Sequence, residues 1–249
     1  MDDRLHVLAV CGHEAAHGAA LRHLAGPDTA VVADGRELYR ALAARPARQD
    51  VAVVPMTLGR EPGLAAEAAR TVRALPPELR GGLAVAEPFG TATHLVGWLR
   101  AAASTVPERA ALLLTAPAGD PHEDAELDRV AHLVRRHGRH RLVQTALLGG
   151  DPDPAEGARR CALLGARTVA VLSASFLPPA PPPAPDGVSV LDAGPLLSAA
   201  ALAAVLSARA AAAVRRLHEH GEDGVAAALT GHHHGPGAHT HAVPAGGVR

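Results

Sequence analysis

The chain has 249 residues, 48% of them hydrophobic and only 2% aromatic, with a formal net charge of −1. This is enough to bury a full core, as one large α/β domain or as two lobes of about 120 residues each, and with so few aromatics the core must be built from Ala, Leu and Val. With 25 acidic side chains against 24 basic ones, all of them Arg, there is no basic field for nucleic acid and no acidic field for a basic partner.

Met1-Asp2-Asp3-Arg4 runs directly into an apolar stretch, without the h-region or cleavage site of a signal peptide. No uncharged apolar run reaches the roughly 18 residues that a membrane span requires, so the expectation is a soluble, cytoplasmic protein with no membrane partner. Residues 5–11 (LHVLAVC) read as a buried parallel strand that stops at Gly12. A helical spacing follows over 17–24, ended by Gly26-Pro27-Asp28. Further along come a strand at 29–33, a helix at 36–44, a strand at 51–55, a helix at 64–75, a strand at 83–86 and a helix at 93–103. Strands alternating with helices of about ten residues indicate βαβ units and a parallel sheet.

The second half repeats the series, with strands at 111–115, 142–148, 168–173 and 188–191 and helices at 124–136, 154–164 and 198–218. A Pro-rich stretch, 177–185, precedes the last strand. Val53-Val54-Pro55-Met56-Thr57-Leu58 aligns with Val171-Leu172-Ser173-Ala174-Ser175-Phe176, and Ala86-Glu87-Pro88-Phe89-Gly90 aligns with Asp192-Ala193-Gly194-Pro195-Leu196. An internal duplication accounts for this, with one lobe over 1–104, a second over 105–220 and a His-rich tail over 221–249. Two small parallel sheets flanked by helices, of the flavodoxin-like kind, then face a cleft at the carboxyl ends of their strands. Cys11 and Cys161 form no C-x-x-C pair and read as reduced, buried thiols.

Residues 13–17 spell His-Glu-Ala-Ala-His, a literal H-E-x-x-H. On an α-helix, two histidines four apart hold one metal while the Glu serves as base, the arrangement of zinc hydrolases. Here the string begins two residues after the first strand with only twelve residues before it. His23 has the third-ligand spacing of the longer pattern, but Ala20 stands where that pattern has Gly. The alternative is a strand ending in Gly12-His13 that presents one imidazole at the edge of a parallel sheet.

Taken in order, Gly12-His13 after a strand, Pro55-Met56-Thr57-Leu58-Gly59, Glu87-Pro88-Phe89-Gly90 with His94 four residues on, and Ala116-Pro117-Ala118-Gly119-Asp120-Pro121 resemble the class II tetrapyrrole chelatases. Within that class the chain is most similar to the two-lobe sirohydrochlorin cobaltochelatases and their ferrochelatase relatives, over about residues 5–215. The resemblance implies insertion of a divalent metal, Co²⁺ ahead of Fe²⁺ or Ni²⁺, into a sirohydrochlorin-type tetrapyrrole in cobalamin or sirohaem biosynthesis, with no nucleotide cofactor. It implies that His13 serves as base and metal ligand, and a homodimer is compatible with it. Arg60 is a candidate partner for the substrate's carboxylates.

The chain departs from that family in two places. Glu14 and Ala15 follow Gly12-His13 where the family continues Gly-Ser, and Gly59-Arg60-Glu61-Pro62-Gly63 lacks the second family histidine. Glu14, His17 or His94 is expected to supply the missing ligand. His122, His132, His137, His140, His218 and His220 read as solvated helix-face residues. In the tail, His232, His233, His234, His239 and His241 form an imidazole cluster suited to capturing metal. Two other functions compete with chelation: a non-catalytic metal- or tetrapyrrole-binding and delivery protein on the same fold, and a zinc hydrolase using His13-Glu14-Ala15-Ala16-His17.

Overall fold

A computed structural model describes residues 5–46 and 49–230. Among the described residues, eight strands form two parallel sheets of four. The first holds β1 (His6–Cys11), β2 (Thr29–Ala33), β3 (Val51–Met56) and β4 (Leu83–Val85) in the order β2-β1-β3-β4. The second holds β5 (Ala111–Pro117), β6 (Val143–Leu148), β7 (Thr168–Ser173) and β8 (Ser189–Asp192) in the order β6-β5-β7-β8. The two orders are the same permutation, so the repeat seen in the sequence is a repeat of topology, and it follows the flavodoxin-type winding. The uninterrupted apolar runs of β1, β3, β5 and β7 occupy the two central positions of each sheet, where both faces are covered.

Among the described residues, seven α-helices surround the sheets: α1 (Arg36–Ala44), α2 (Gly63–Arg73), α3 (Ala92–Ala103), α4 (Pro121–His137), α5 (Pro154–Leu163), α6 (Ala199–His220) and α7 (Val225–Thr230). Their ends follow the local chemistry. Asp120 and Glu123 form a reciprocal capping box ahead of α4, with Pro121 in its first turn. Ser198 caps α6, which ends at Gly221 in the left-handed conformation. The second lobe has no counterpart of α2; the Pro-rich 177–185 takes that place, since successive prolines cannot sustain a helix.

The last helix of each lobe lies on the other lobe. α6 packs on β3 and β4 of the first sheet, and α3 packs on α4 and β7 of the second. One apolar cluster therefore joins Met56 of β3, Leu95 and Leu99 of α3, Leu127 of α4, and Leu202 and Leu206 of α6. Each such fully buried leucine contributes roughly 1.5–3 kcal/mol.

Two segments differ from the sequence expectations. The stretch His13–Leu24 forms kinked 3₁₀ turns, not an α-helix: Ala16, His17 and Gly18 have positive φ (48°, 50° and 93°). Such a backbone costs a non-Gly residue roughly 1–2 kcal/mol, and it is held by the seating of Glu14 described below. Residues 221–230, assigned to the tail, contain α7, which lies against α2 and β4. Asp223 accepts a hydrogen bond from the β4 residue Val85 (2.7 Å) through its backbone carbonyl, so the chain extends the first lobe here. No described helix is long and apolar enough to cross a membrane.

Candidate functional site

The carboxyl ends of β1, β3 and β5 converge where the two lobes meet, and the loops after them carry the charged side chains. Immediately after β1, Gly12 leads into His13, whose ring Nδ1 and backbone N–H both bond to the same Glu61 oxygen, Oε1. Only glycine fits at position 12. A Cβ there would lie 2.3 Å from Glu61 Oε1 and 2.6 Å from Oε2. On its other side His13 Nε2 lies 3.7 Å from Glu123 Oε2, which belongs to the second lobe. The imidazole thus sits between two carboxylates, one from each half of the duplication.

Thr57, just past β3, organises the loop that carries Glu61. Its hydroxyl donates to Glu14 Oε2 and accepts from the N–H groups of Gly59 (2.9 Å) and Glu61 (3.3 Å). Glu14 is fully buried; Oε2 also accepts the Leu58 N–H (2.9 Å), and Oε1 has no partner among the described residues. The backbone carbonyl of Glu14 accepts from Phe176 N–H (3.0 Å) in the loop after β7. These bonds fix residue 14 inside the protein and force the kink that follows it.

Arg60 makes the converse link from the first lobe to the second. Its guanidinium, fully buried, donates to the carbonyls of Glu123 and Pro117 (each 3.1 Å) and to Asp124 Oδ1 (3.2 Å). Asp124 also accepts the Gly119 N–H (2.9 Å). The sequence marked Arg60 for substrate carboxylates; in the structure its Nε and one Nη bridge the lobes, and the other, Nη1, has no partner among the described residues.

The charges act on one another. Burial lowers the basicity of His13, but its hydrogen bond to Glu61 and the fields of Glu61, Glu123 and Glu14 outweigh it and leave the imidazole pKa raised. Glu14 is pushed up to about 7, mainly by desolvation, with its bonds to Thr57 and Leu58 opposing. Cys11 is pushed up to about 12 by burial and then by Glu61, so it is an inert thiol.

The remaining sequence candidates do not gather here. His17 is exposed on the kink, and with its backbone in the left-handed region it does not share a helix face with His13, so the zinc-hydrolase arrangement is not formed. His94 is exposed; its Nδ1 accepts from Thr91 to cap α3, and its ring stacks on Trp98 at 5.7 Å. His140 is not solvated as expected. It is 4% exposed, with ring nitrogens 3.0 Å and 3.1 Å from the carbonyls of Ala110 and Ala103, where it ties down the connection between the lobes. His122, His132, His137, His218 and His220 are exposed, and His218 pairs with Asp50 at 2.9 Å. His232, His233, His234, His239 and His241 lie outside the described residues. Among the described residues no group of three His, Cys, Asp or Glu side chains is arranged to hold a metal ion.

Sequence reasoning missed Glu61 and Glu123. Glu61 lay in the very loop noted for its absent histidine. Glu123 was signalled only as the last residue of an Asp-x-x-Glu capping box. A cavity of about 620 Å³ opens beside Glu61 at the carboxyl ends of β3 and β4, with α7 as its far wall.

No family model matches the chain, and no curated protein matches it. Among solved structures it is similar to one described as CbiX, the terminal enzyme for biosynthesis of siroheme in denitrifying bacteria. The similarity covers 82% of this chain and 98% of that one, at 16% sequence identity and a TM-score of 0.42.

Proposed function

We propose that this protein is a metal chelatase, a lyase that inserts a divalent metal into a sirohydrochlorin-type tetrapyrrole in the cytoplasm without a nucleotide. Co²⁺ is the proposed metal, ahead of Fe²⁺ or Ni²⁺. One observation carries the proposal: a single imidazole at the end of β1 stands at the seam of two duplicated parallel sheets, with a carboxylate from each lobe beside it. The resemblance to the chelatases implies a role for the same residue, His13, and so supports the reading.

The chemistry asks for little machinery. Two inner N–H protons must leave the macrocycle, and a partly dehydrated cation must be presented to its face. The macrocycle supplies four nitrogens, so the protein needs no closed metal cage, which accords with the lack of a three-ligand group among the described residues. His13 Nε2 has no hydrogen-bond partner among the described residues, and once the ring is neutral and this buried edge is uncovered it can serve as proton acceptor or transient ligand. Glu61 and Glu123 supply negative charge that attracts a dication. The tail imidazoles His232, His233, His234, His239 and His241 are proposed as a local metal store.

A second reading has an observation in its favour. Glu61 already occupies Nδ1 of His13, and Glu14, His17 and His94 do not complete a ligand set, an arrangement that suits a non-catalytic protein binding metal or tetrapyrrole for delivery. Mixing purified protein, sirohydrochlorin and Co²⁺ separates the two. Chelation shifts the visible spectrum of the macrocycle, and His13→Ala removes the shift. An unchanged spectrum with metal uptake retained after deletion of 231–249 establishes the delivery protein instead.

A further inference from the structure

At the amino ends of β5 and β6, the opposite end of the second sheet from His13, two adjoining cavities of about 580 and 340 Å³ share Glu108 and Arg139 and form one groove. Arg100, Arg109, Arg139 and Arg141 line it, and all four are exposed. Glu108 is the only acidic residue of the lining. Four arginines against one glutamate leave a local charge of +3 with the histidines neutral, on a chain whose net charge is −1. Among the described residues none of these four guanidiniums is in an ion pair; the arginines that are paired lie elsewhere.

The groove also has apolar surface. Ala110 and Ala111 are buried in it, with Leu142 and Ala166 half-buried beside them. At its edge Leu164 is 63% exposed and the adjacent Leu163 is 72% exposed, an apolar pair of the kind that marks contact surfaces. Helices α3, α4 and α5 all end here, with their capping residues Ser104, Gly138 and Leu164 in the lining. The partial negative charge of three helix carboxyl ends opposes a compact anion inside the groove, whereas the long guanidiniums reach past it. No aromatic side chain lines the groove for a nucleic-acid base to stack on. The lining therefore matches an extended ligand that carries both carboxylates and aliphatic side chains.

We infer that this groove docks an acidic, leucine-bearing segment of a partner protein. The guanidiniums pair with its carboxylates, and Leu163 and Leu164 pack against its aliphatic side chains. β5 runs from Ala111 at the groove to Pro117, whose carbonyl accepts from Arg60, a span of roughly 20 Å. A partner held at the amino ends of the strands thus leaves the candidate site at their carboxyl ends open. Docking here does not depend on the chemistry at His13.

The test uses the full chain and a short fluorescein-labelled peptide of alternating glutamate and leucine pairs, with binding followed by anisotropy at low salt. Binding is expected, and Arg139→Glu combined with Arg141→Glu is expected to weaken it about tenfold or more. Leu164→Ser weakens it about several-fold through lost apolar contact. All three residues are exposed, so the melting temperature stays unchanged. Arg36→Glu combined with Arg40→Glu makes the same change of net charge at two exposed arginines of α1 and leaves the affinity as it was. No binding by the parent chain, or an equal loss in the α1 variant, overturns the docking surface. A peptide of glutamate alone that binds as tightly, unaffected by Leu164→Ser, reduces the groove to a patch for any polyanion and overturns the amphipathic partner. A single-stranded oligonucleotide that displaces the peptide at lower concentration than unlabelled peptide does so as well.

Discussion

Glu61 holds His13 at two points, the ring Nδ1 and the backbone N–H, across 48 residues of sequence. A carboxylate that grips both the main chain and the ring fixes the rotamer of the imidazole, not only its charge. With Nδ1 donating to Glu61, Nε2 is the ring nitrogen without a hydrogen bond among the described residues, turned toward Glu123.

Gly12→Ala tests that grip. The new methyl would sit within 2.3–2.7 Å of three atoms of the Glu61 carboxyl group, and Glu61 is too buried to swing away. Metal insertion is expected to fall at least tenfold, in line with the typical worth of a positioned acid–base group, while the urea midpoint moves modestly. Gly119→Ala is the control for the other side. Its Cβ would lie 2.2 Å from Glu123 Oε2, 2.9 Å from Glu123 Cβ and 3.1 Å from His13 Nε2, so the first turn of α4 must shift as well as the carboxylate. A loss in Gly119→Ala as large as in Gly12→Ala would show that Glu123 matters as much as Glu61.

Arg60→Met removes three hydrogen bonds between the lobes at a guanidinium with no exposure. The expected destabilisation is about 2–4 kcal/mol, the range for breaking a buried charged contact. It is read from the urea midpoint with an unchanged m-value. Arg60→Lys restores less than half, because a single ammonium cannot reach three acceptors spread over a planar fork.

Stability should decline as pH rises through the neutral range. Glu14 has a folded pKa of about 7 against an ordinary value of 4.5. Between those values the folded chain holds a proton that the unfolded chain has lost, so the stability present below pH 4.5 drains away as pH approaches and passes 7. The full effect is on the order of 3 kcal/mol. His13 acts in the same direction, its share being lost above 6.5 as the pH passes its raised pKa. Glu14→Gln keeps an acceptor for Thr57 and Leu58 without the charge. Melting curves of metal-free protein from pH 5 to 8 should show a shallower decline in this variant, with the remaining slope above 6.5 belonging to His13. Equal slopes in the two proteins would mean that Glu14 is not the buried acid.

Deleting residues 231–249 should lower the number of Co²⁺ ions bound per chain while leaving the insertion rate at saturating Co²⁺ unchanged. At limiting Co²⁺ the truncated chain should be slower. Equilibrium dialysis and rate measurements at two metal concentrations decide this.

Most of the fold could be read from the chain because its strands are short apolar runs closed by Gly, Pro or Asp, and the two halves corroborate each other. Periodicity failed at 17–24, because the decisive interactions just before it are long-range: Thr57, Leu58 and Phe176 hold Glu14 and bend the backbone away from a helix. The same cause hid α7, whose six residues are too few to show a period and are placed by contact with α2 and β4. At the candidate site, the location of His13 at the end of β1 was legible from the apolar run before it. Glu61 and Glu123 were not, since a carboxylate in a loop looks like any solvated charge until the opposite lobe is placed beside it. The bridging role of Arg60 was hidden for a related reason: its acceptors belong to α4 and β5, far off in sequence.

The crossed placement of α3 and α6 has a consequence for how the chain can be divided. Cut between residues 104 and 105, the first fragment would keep sheet β1–β4 but lose the helix that covers it, and the second would lack α3 in the same way. Each fragment alone would expose apolar surface, whereas the two produced together could exchange helices and rebuild the whole. A split gene should thus yield insoluble halves singly and a soluble complex on co-expression. An ancestral half-length chain of this design would have been obliged to pair with itself, each copy lending its last helix to the other.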